Sequence, residues 1–212
     1  MIMHMFDNSN VPHLAEDGAT AMQRLEEHGY VALEEKLLAD VLKRLGPVGP
    51  TEVLRARPSS DSNPWSLSGK YGLGAFPWHT DGAISARPPR WIALKPLHIS
   101  KKTYTELLQP SVSLLKKLKR TVLRARDKND TLRYLPAAIV EYDGVVRLRW
   151  DPRTCKPRNE AIIHAVDTQQ PTARHYWHYG LPLIFDNWKL LHRRPAVGCE
   201  ETRVLERTYI WG

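Results

Sequence analysis

Apolar positions along the chain recur at helical spacing over residues 20–28 and again over 34–45, where Leu37, Leu38, Val41, Leu42 and Leu45 share one face. Thr20 is placed to cap the first helix, with Gln23 three residues on, and Gly29 to stop it. Residues 30–33 read as a strand, the run Gly46-Pro-Val-Gly-Pro50 ends the second helix, and 53–55 reads as strand. Residues 57–74 follow no period and are rich in Pro, Ser, Asn and Gly. An irregular stretch of that length inside a compact domain points to a lid or substrate-facing loop. Strands are predicted over 91–97 and 102–107. Pro110 then opens an amphipathic helix with Leu114, Leu115, Leu118 and Val122 as its apolar stripe, and the basic run from Lys116 to Arg126 on its solvated face.

Beyond Asn129 the pattern turns to β. Residues 138–142 and 145–150 flank Asp143-Gly144, a hairpin signal, with Arg147 and Arg149 on the solvated face of the second strand. A short helix is predicted over 171–179, and strands over 181–185 and 203–211. Helices sit mainly in the first 130 residues while strands run throughout, which predicts an α+β fold: an antiparallel β core carrying helices on one side. Residues 1–16 read as a frayed start to a single domain spanning 1–212.

Composition narrows the class. With 212 residues, 42% hydrophobic and 25% charged, the chain can bury one sizeable core without staples. Cys155 and Cys199 are too few for a disulfide scaffold and read as reduced thiols of a cytoplasmic protein. No apolar run reaches the roughly 20 residues that span a bilayer, and the first residues lack a secretory pattern. A net charge of +8 makes nucleic acid an admissible partner, although no nucleic-acid motif accompanies it.

The candidate chemistry lies in Phe76-Pro-Trp-His79-Thr-Asp81-Gly. On an extended segment His79 and Asp81 face the same side, so imidazole and carboxylate can converge on one ion. A facial triad of two histidines and one carboxylate needs a third ligand from a distant strand and leaves coordination sites open. His192, 113 residues after His79, is such a candidate. Further on, Arg203, Leu205 and Arg207 fall on one strand face. Two arginines pointing into a core are costly without anions, and a dicarboxylate co-substrate would supply them. Trp65, Tyr71, Trp78 and Trp91 flank the first motif and fit either packing or pocket lining. A non-catalytic, cupin-like metal-binding protein is the alternative to an enzyme, and a basic nucleic-acid-binding module is a further one.

The elements His79-Thr-Asp81, Pro88-Pro89-Arg90-Trp91, Phe185-Asp186-Asn187 with His192, and Arg203-x-x-x-Arg207 together resemble the TauD/TfdA group of Fe(II)- and 2-oxoglutarate-dependent dioxygenases, over residues 70–110 and 180–212. The resemblance implies a double-stranded β-helix (jelly roll, cupin-like) core with flanking helices. It also implies iron ligands at His79, Asp81 and His192. Arg203 matches the arginine that pairs with the distal carboxylate of 2-oxoglutarate, and Arg207 the residue that contacts either that co-substrate or an anionic substrate. The family's threonine falls at Thr105, with Thr103 as the fallback. Its two preceding glycines are replaced here by Lys101 and Lys102, and its His-Gly-Arg by His192-Arg193-Arg194. The implied reaction consumes O2 and 2-oxoglutarate, releases succinate and CO2, and hydroxylates a small polar metabolite, with a carboxylate-bearing one favoured by the positive surplus.

Overall fold

The computed structural model describes residues 13–99, 103–126, 129–198 and 202–212. In chain order the first elements are β1 (Leu14–Ala15), α1 (Gly18–His28), β2 (Tyr30–Leu33), α2 (Glu35–Leu45), β3 (Val48–Arg55), α3 (Leu67–Tyr71), β4 (Trp91–Ile99), β5 (Tyr104–Leu108) and α4 (Val112–Lys119). They are followed by β6 (Val122–Arg126), β7 (Leu132–Pro136), β8 (Ala138–Val140), β9 (Val146–Leu148), β10 (Cys155–Pro157) and α5 (Ala161–Asp167). The last are β11 (Ala173–Tyr176), β12 (Leu183–Asp186), β13 (Leu191–Arg193) and β14 (Arg203–Ile210).

A six-stranded sheet in the order β1-β2-β12-β4-β14-β3 lies against a three-stranded sheet, β11-β5-β13. Their inner faces share one core of Ile92, Leu94, Leu107, Leu183, Phe185 and Leu205. On the outer face of the large sheet, Leu25 of α1 and Val41 and Leu45 of α2 pack on Val31, Ala93, Ile184 and Ile210. Both faces of the large sheet are therefore covered, which is why every residue of β12 is buried. This is the two-sheet, jelly-roll arrangement with flanking helices that the sequence led us to expect. A third core under α4 and α5 joins Leu114, Leu118, Leu123 and Trp150 to Leu191 of β13. The strand carrying His192 thus leans on that core directly. No described helix is long and apolar enough to cross a membrane.

Several expectations are corrected. The first helix is capped by Asp17, whose side chain accepts from the Thr20 amide at 2.7 Å, so it starts before Thr20. Residues 13–16 are ordered by the parallel pairing of β1 with β2, while 1–12 lie outside the described residues. The basic run is not one helix. α4 stops at Lys119, and 122–126 pairs with β7 on one side and β10 on the other, burying Leu123 and Ala125 and leaving Val122 about half exposed. The segment fits either period, and two neighbouring strands decide it. The helix predicted over 171–179 is strand β11, paired with β5, followed by a single 3-10 turn.

Arg149 is not on a solvated face: it is buried and donates to the carbonyls of Ala83 and Ser85, while Arg147 pairs with Glu141 at 3.0 Å. The segment 57–74 carries a 3-10 turn at Ser59–Asp61 and the helix α3. Cys155 is a free, buried thiol, pushed up to about 11 mainly by burial, and Cys199 lies outside the described residues.

Candidate active site

His79 and His192 face each other across an isolated antiparallel bridge, each amide donating to the other's carbonyl at 3.0 and 2.9 Å. That pairing sets the imidazoles side by side, with ring centroids 4.1 Å apart. His79 Nδ1 lies 2.9 Å from the Pro77 carbonyl, which holds the proton on that nitrogen and leaves Nε2 as the free donor atom. Asp81, two residues on, returns to the same side. Its Oδ1 lies 3.6 Å from His79 Nε2 and 3.7 Å from His192 Nε2.

The three ligand atoms lie within 4.8 Å of one another, and all three residues are buried. Two nitrogens and one carboxylate oxygen suit Fe(II) and leave open positions. The protonation states suit it as well. Burial, with His79 beside it, pushes the His192 imidazole well below its ordinary value, so its lone pair is free. Burial works to raise Asp81, but Arg207, His192, His79 and the Tyr209 hydroxyl outweigh it and hold the carboxyl well below the usual range. His192 Nδ1 is buried without a hydrogen-bond partner among the described residues.

Arg207 and Tyr209, on the same face of β14, both donate to Asp81 Oδ2, at 2.9 and 3.0 Å. The carboxylate therefore turns Oδ1 alone toward the imidazoles. Arg207 also pairs with Glu52 at 2.6 Å, its direct cross-strand neighbour on β3. Tyr209 and Glu52 were missed in the sequence. Tyr209 has a signal there, since it continues the Arg203-Leu205-Arg207 alternation. Glu52 has none until the pairing of β3 with β14 is known.

Arg203 is in a different state. It is nine-tenths buried, and among the described residues its guanidinium hydrogen-bonds to a neutral group, from Nη2 to Thr105 Oγ1 at 3.1 Å. Burial, with Arg194 nearby, pulls it down to about 9. Thr105 also accepts from Trp177 Nε1 at 3.1 Å. Its two lone pairs are thus used and its O–H is left to donate. Thr103, the fallback, is buried with its hydroxyl unpartnered among the described residues, and lies just before β5 rather than on the cavity wall.

His79, Asp81, His192, Thr105, Arg203 and Arg207 all line one cavity of about 710 Å³. Of the four aromatic candidates none lines it: Trp78 and Trp91 are core, Trp65 is exposed, and Phe76 takes the wall position.

No protein-family model matches the chain, and no curated protein does. Solved structures do, and they show the fold: the chain is folded like proteins solved as iron- and 2-oxoglutarate-dependent oxygenases. It is similar to a taurine dioxygenase from Burkholderia xenovorans, with a TM-score of 0.67 at 17% identity over 92% of this chain and 81% of that one. It is similar to an asparagine oxygenase solved with Fe(II), 3-hydroxyasparagine and succinate, with a TM-score of 0.70 at 14% identity over 92% and 77%. PvcB from Pseudomonas aeruginosa gives 0.62 at 16% identity over 92% and 80%.

Proposed function

We propose that this chain is an Fe(II)- and 2-oxoglutarate-dependent oxygenase that hydroxylates a C–H bond of a small, polar, carboxylate-bearing metabolite. One observation carries the reading: three metal-donor atoms within 4.8 Å of one another open onto the same cavity as a buried arginine that has no carboxylate partner among the described residues. His79, Asp81 and His192 would hold the metal, and Arg203 with the Thr105 hydroxyl would hold the distal carboxylate of 2-oxoglutarate. Bound together, Fe(II) and 2-oxoglutarate supply O2-dependent oxidative decarboxylation, which yields succinate and CO2 and drives the hydroxylation.

The chain's own work is positional. Arg207 and Tyr209 fix one oxygen of Asp81, which would leave the other to hold the ion. Leu54, Leu94 and Leu205 give the cavity an apolar wall that keeps water from the co-substrate. Asn63, Ser66 and Ser68, from the segment 57–74, line the same cavity. They support reading that segment as a lid over a polar substrate within a single domain. Arg207 is engaged by Asp81 and Glu52, so an anion reaching it must compete with one of them; Arg194, whose Nη2 donates to the Gly72 and Gly74 carbonyls and whose guanidinium lies over the Phe76 ring, has no carboxylate partner among the described residues and is the less committed cation.

The test is succinate formation from 2-oxoglutarate under air. It should require added Fe(II) and should vanish in His79→Ala. Equal turnover by that variant would overturn the assignment.

A further inference from the structure

We propose that Asn187 is a positioning residue that sets the Asp81 carboxylate against the His192 imidazole, by tying the turn that carries one ligand to the segment that delivers the other. The proposal rests on the metal-centre reading above. Asn187 is fully buried, opens the connection from β12 to β13, and lies five residues before His192. Its Oδ1 accepts from the Asp81 amide at 2.8 Å, and its Nδ2 donates to the Asp81 carbonyl at 3.0 Å and to the Pro89 carbonyl at 2.9 Å. The side chain thus spends all its bonds on the backbone of one turn, and two of the three on a single ligand residue.

An amide can accept from an N–H and donate to a C=O at once, so it grips Asp81 on both peptide planes; no apolar or purely acidic side chain of that size can do so. Elsewhere the turn is held by Arg149, through the Ala83 and Ser85 carbonyls, and by Thr80, paired with Trp150; neither touches the Asp81 backbone. Gly82 sits at φ +69°, with Pro89 Cδ 3.1 Å from where a Cβ would lie, so the chain reverses tightly against the prolines. Asp81 Oδ2 is held from β14, which is not the segment that brings in His192. Residues beside the Asn187 side chain hold the same turn without touching Asp81: the Asn187 amide donates to Arg90 O at 2.7 Å and Trp188 Nε1 to Pro88 O at 3.2 Å. Trp188 therefore provides a control for loop packing alone.

The experiment is an anaerobic Co(II) titration of the full chain, read by visible absorption, with thermal melting of the metal-free proteins alongside. Groups that orient metal ligands typically change affinity about 10- to 100-fold when removed. Asn187→Ala is expected to bind Co(II) at least tenfold more weakly, with an altered band, while Trp188→Phe stays within about twofold of the parent. Wild-type affinity and band in Asn187→Ala, or an equal loss in Trp188→Phe, overturns the proposal. Should the alanine variant not fold, Asn187→Asp keeps size and acceptor but loses the donor. A tenfold loss is again expected there, and parental binding again overturns. If the parent chain binds no Co(II), the metal-centre reading falls and this proposal with it, whereas parental binding with indifferent variants removes this proposal alone.

Discussion

Arg203 and Arg207 sit four residues apart on one face of one strand, yet in opposite electrostatic states. Burial works against both charges. For Arg207 the neighbours Asp81, Tyr209 and Glu52 outweigh it and raise the guanidinium above its ordinary value. For Arg203 nothing does: among the described residues it has a threonine hydroxyl and no carboxylate, and it falls to about 9. A buried cation that is fully paired is part of the scaffold. One left with a neutral partner in a cavity keeps an uncompensated desolvation cost that an anion would relieve. On the function proposed above, the difference separates the arginine that builds the site from the one that would bind the co-substrate in it.

The largest effect should come from breaking the paired one. Arg207→Met strands a buried carboxylate, at a cost of about 3–5 kcal/mol. At roughly 2–4 °C per kcal/mol for a chain of this size, the metal-free protein should melt about 10 °C lower. An unchanged melting temperature would mean that Asp81 does not depend on its pair.

The field of Arg203 reaches His175, which is driven down to about 4, chiefly by burial and further by Arg203. Unfolded, that imidazole titrates near 6.5. Between 6.5 and 4 the unfolded chain binds more protons, so stability falls as pH is lowered through that window and is unaffected by this group above it. The loss should approach about 3 kcal/mol by pH 4. Denaturant melts across that range should show a smaller acid-side loss in His175→Gln, which keeps a donor for the Leu181 carbonyl. An identical loss would place the titration elsewhere.

Arg203→Met should act with the opposite sign to Arg207→Met on stability, leaving the empty protein unchanged or about 1 kcal/mol more stable. It should also weaken 2-oxoglutarate binding about 10- to 50-fold, as expected for a lost charge-assisted pair. Calorimetry and a thermal melt on the same sample read both. A several-degree fall in melting temperature would show that Arg203 is structural after all. Smallest, Thr105→Val should weaken 2-oxoglutarate about fivefold, one neutral hydrogen bond's worth, with Co(II) affinity unchanged.

Much of the site was legible because its information is local. His79-Thr-Asp81 needs only an extended backbone to converge, and Arg203, Leu205, Arg207 and Tyr209 need only the alternation of a strand. The heptad-like face of α2 and the Asp143-Gly144 turn, with Gly144 at φ +81°, are local in the same way. Where one stretch fits two periods, as in Val122–Arg126 and Ala173–Tyr176, or where a side chain's partner is remote, as with Arg149 and the Ala83 carbonyl, the sequence was silent or misleading.

The amino-acid order by itself determined which side chains could act: two imidazoles, an acid and two guanidiniums, on segments whose periodicity turns them to a common side. Only the tertiary structure decided which of them meet, that Thr105 rather than Thr103 adjoins Arg203, and that Asp81 and Glu52 neutralise Arg207 while no described carboxylate answers Arg203. The reason is physical. Facing is set by backbone geometry over two to four residues, whereas the partner of a buried charge is set by strand register between segments more than a hundred residues apart, and a shift of one residue reverses it.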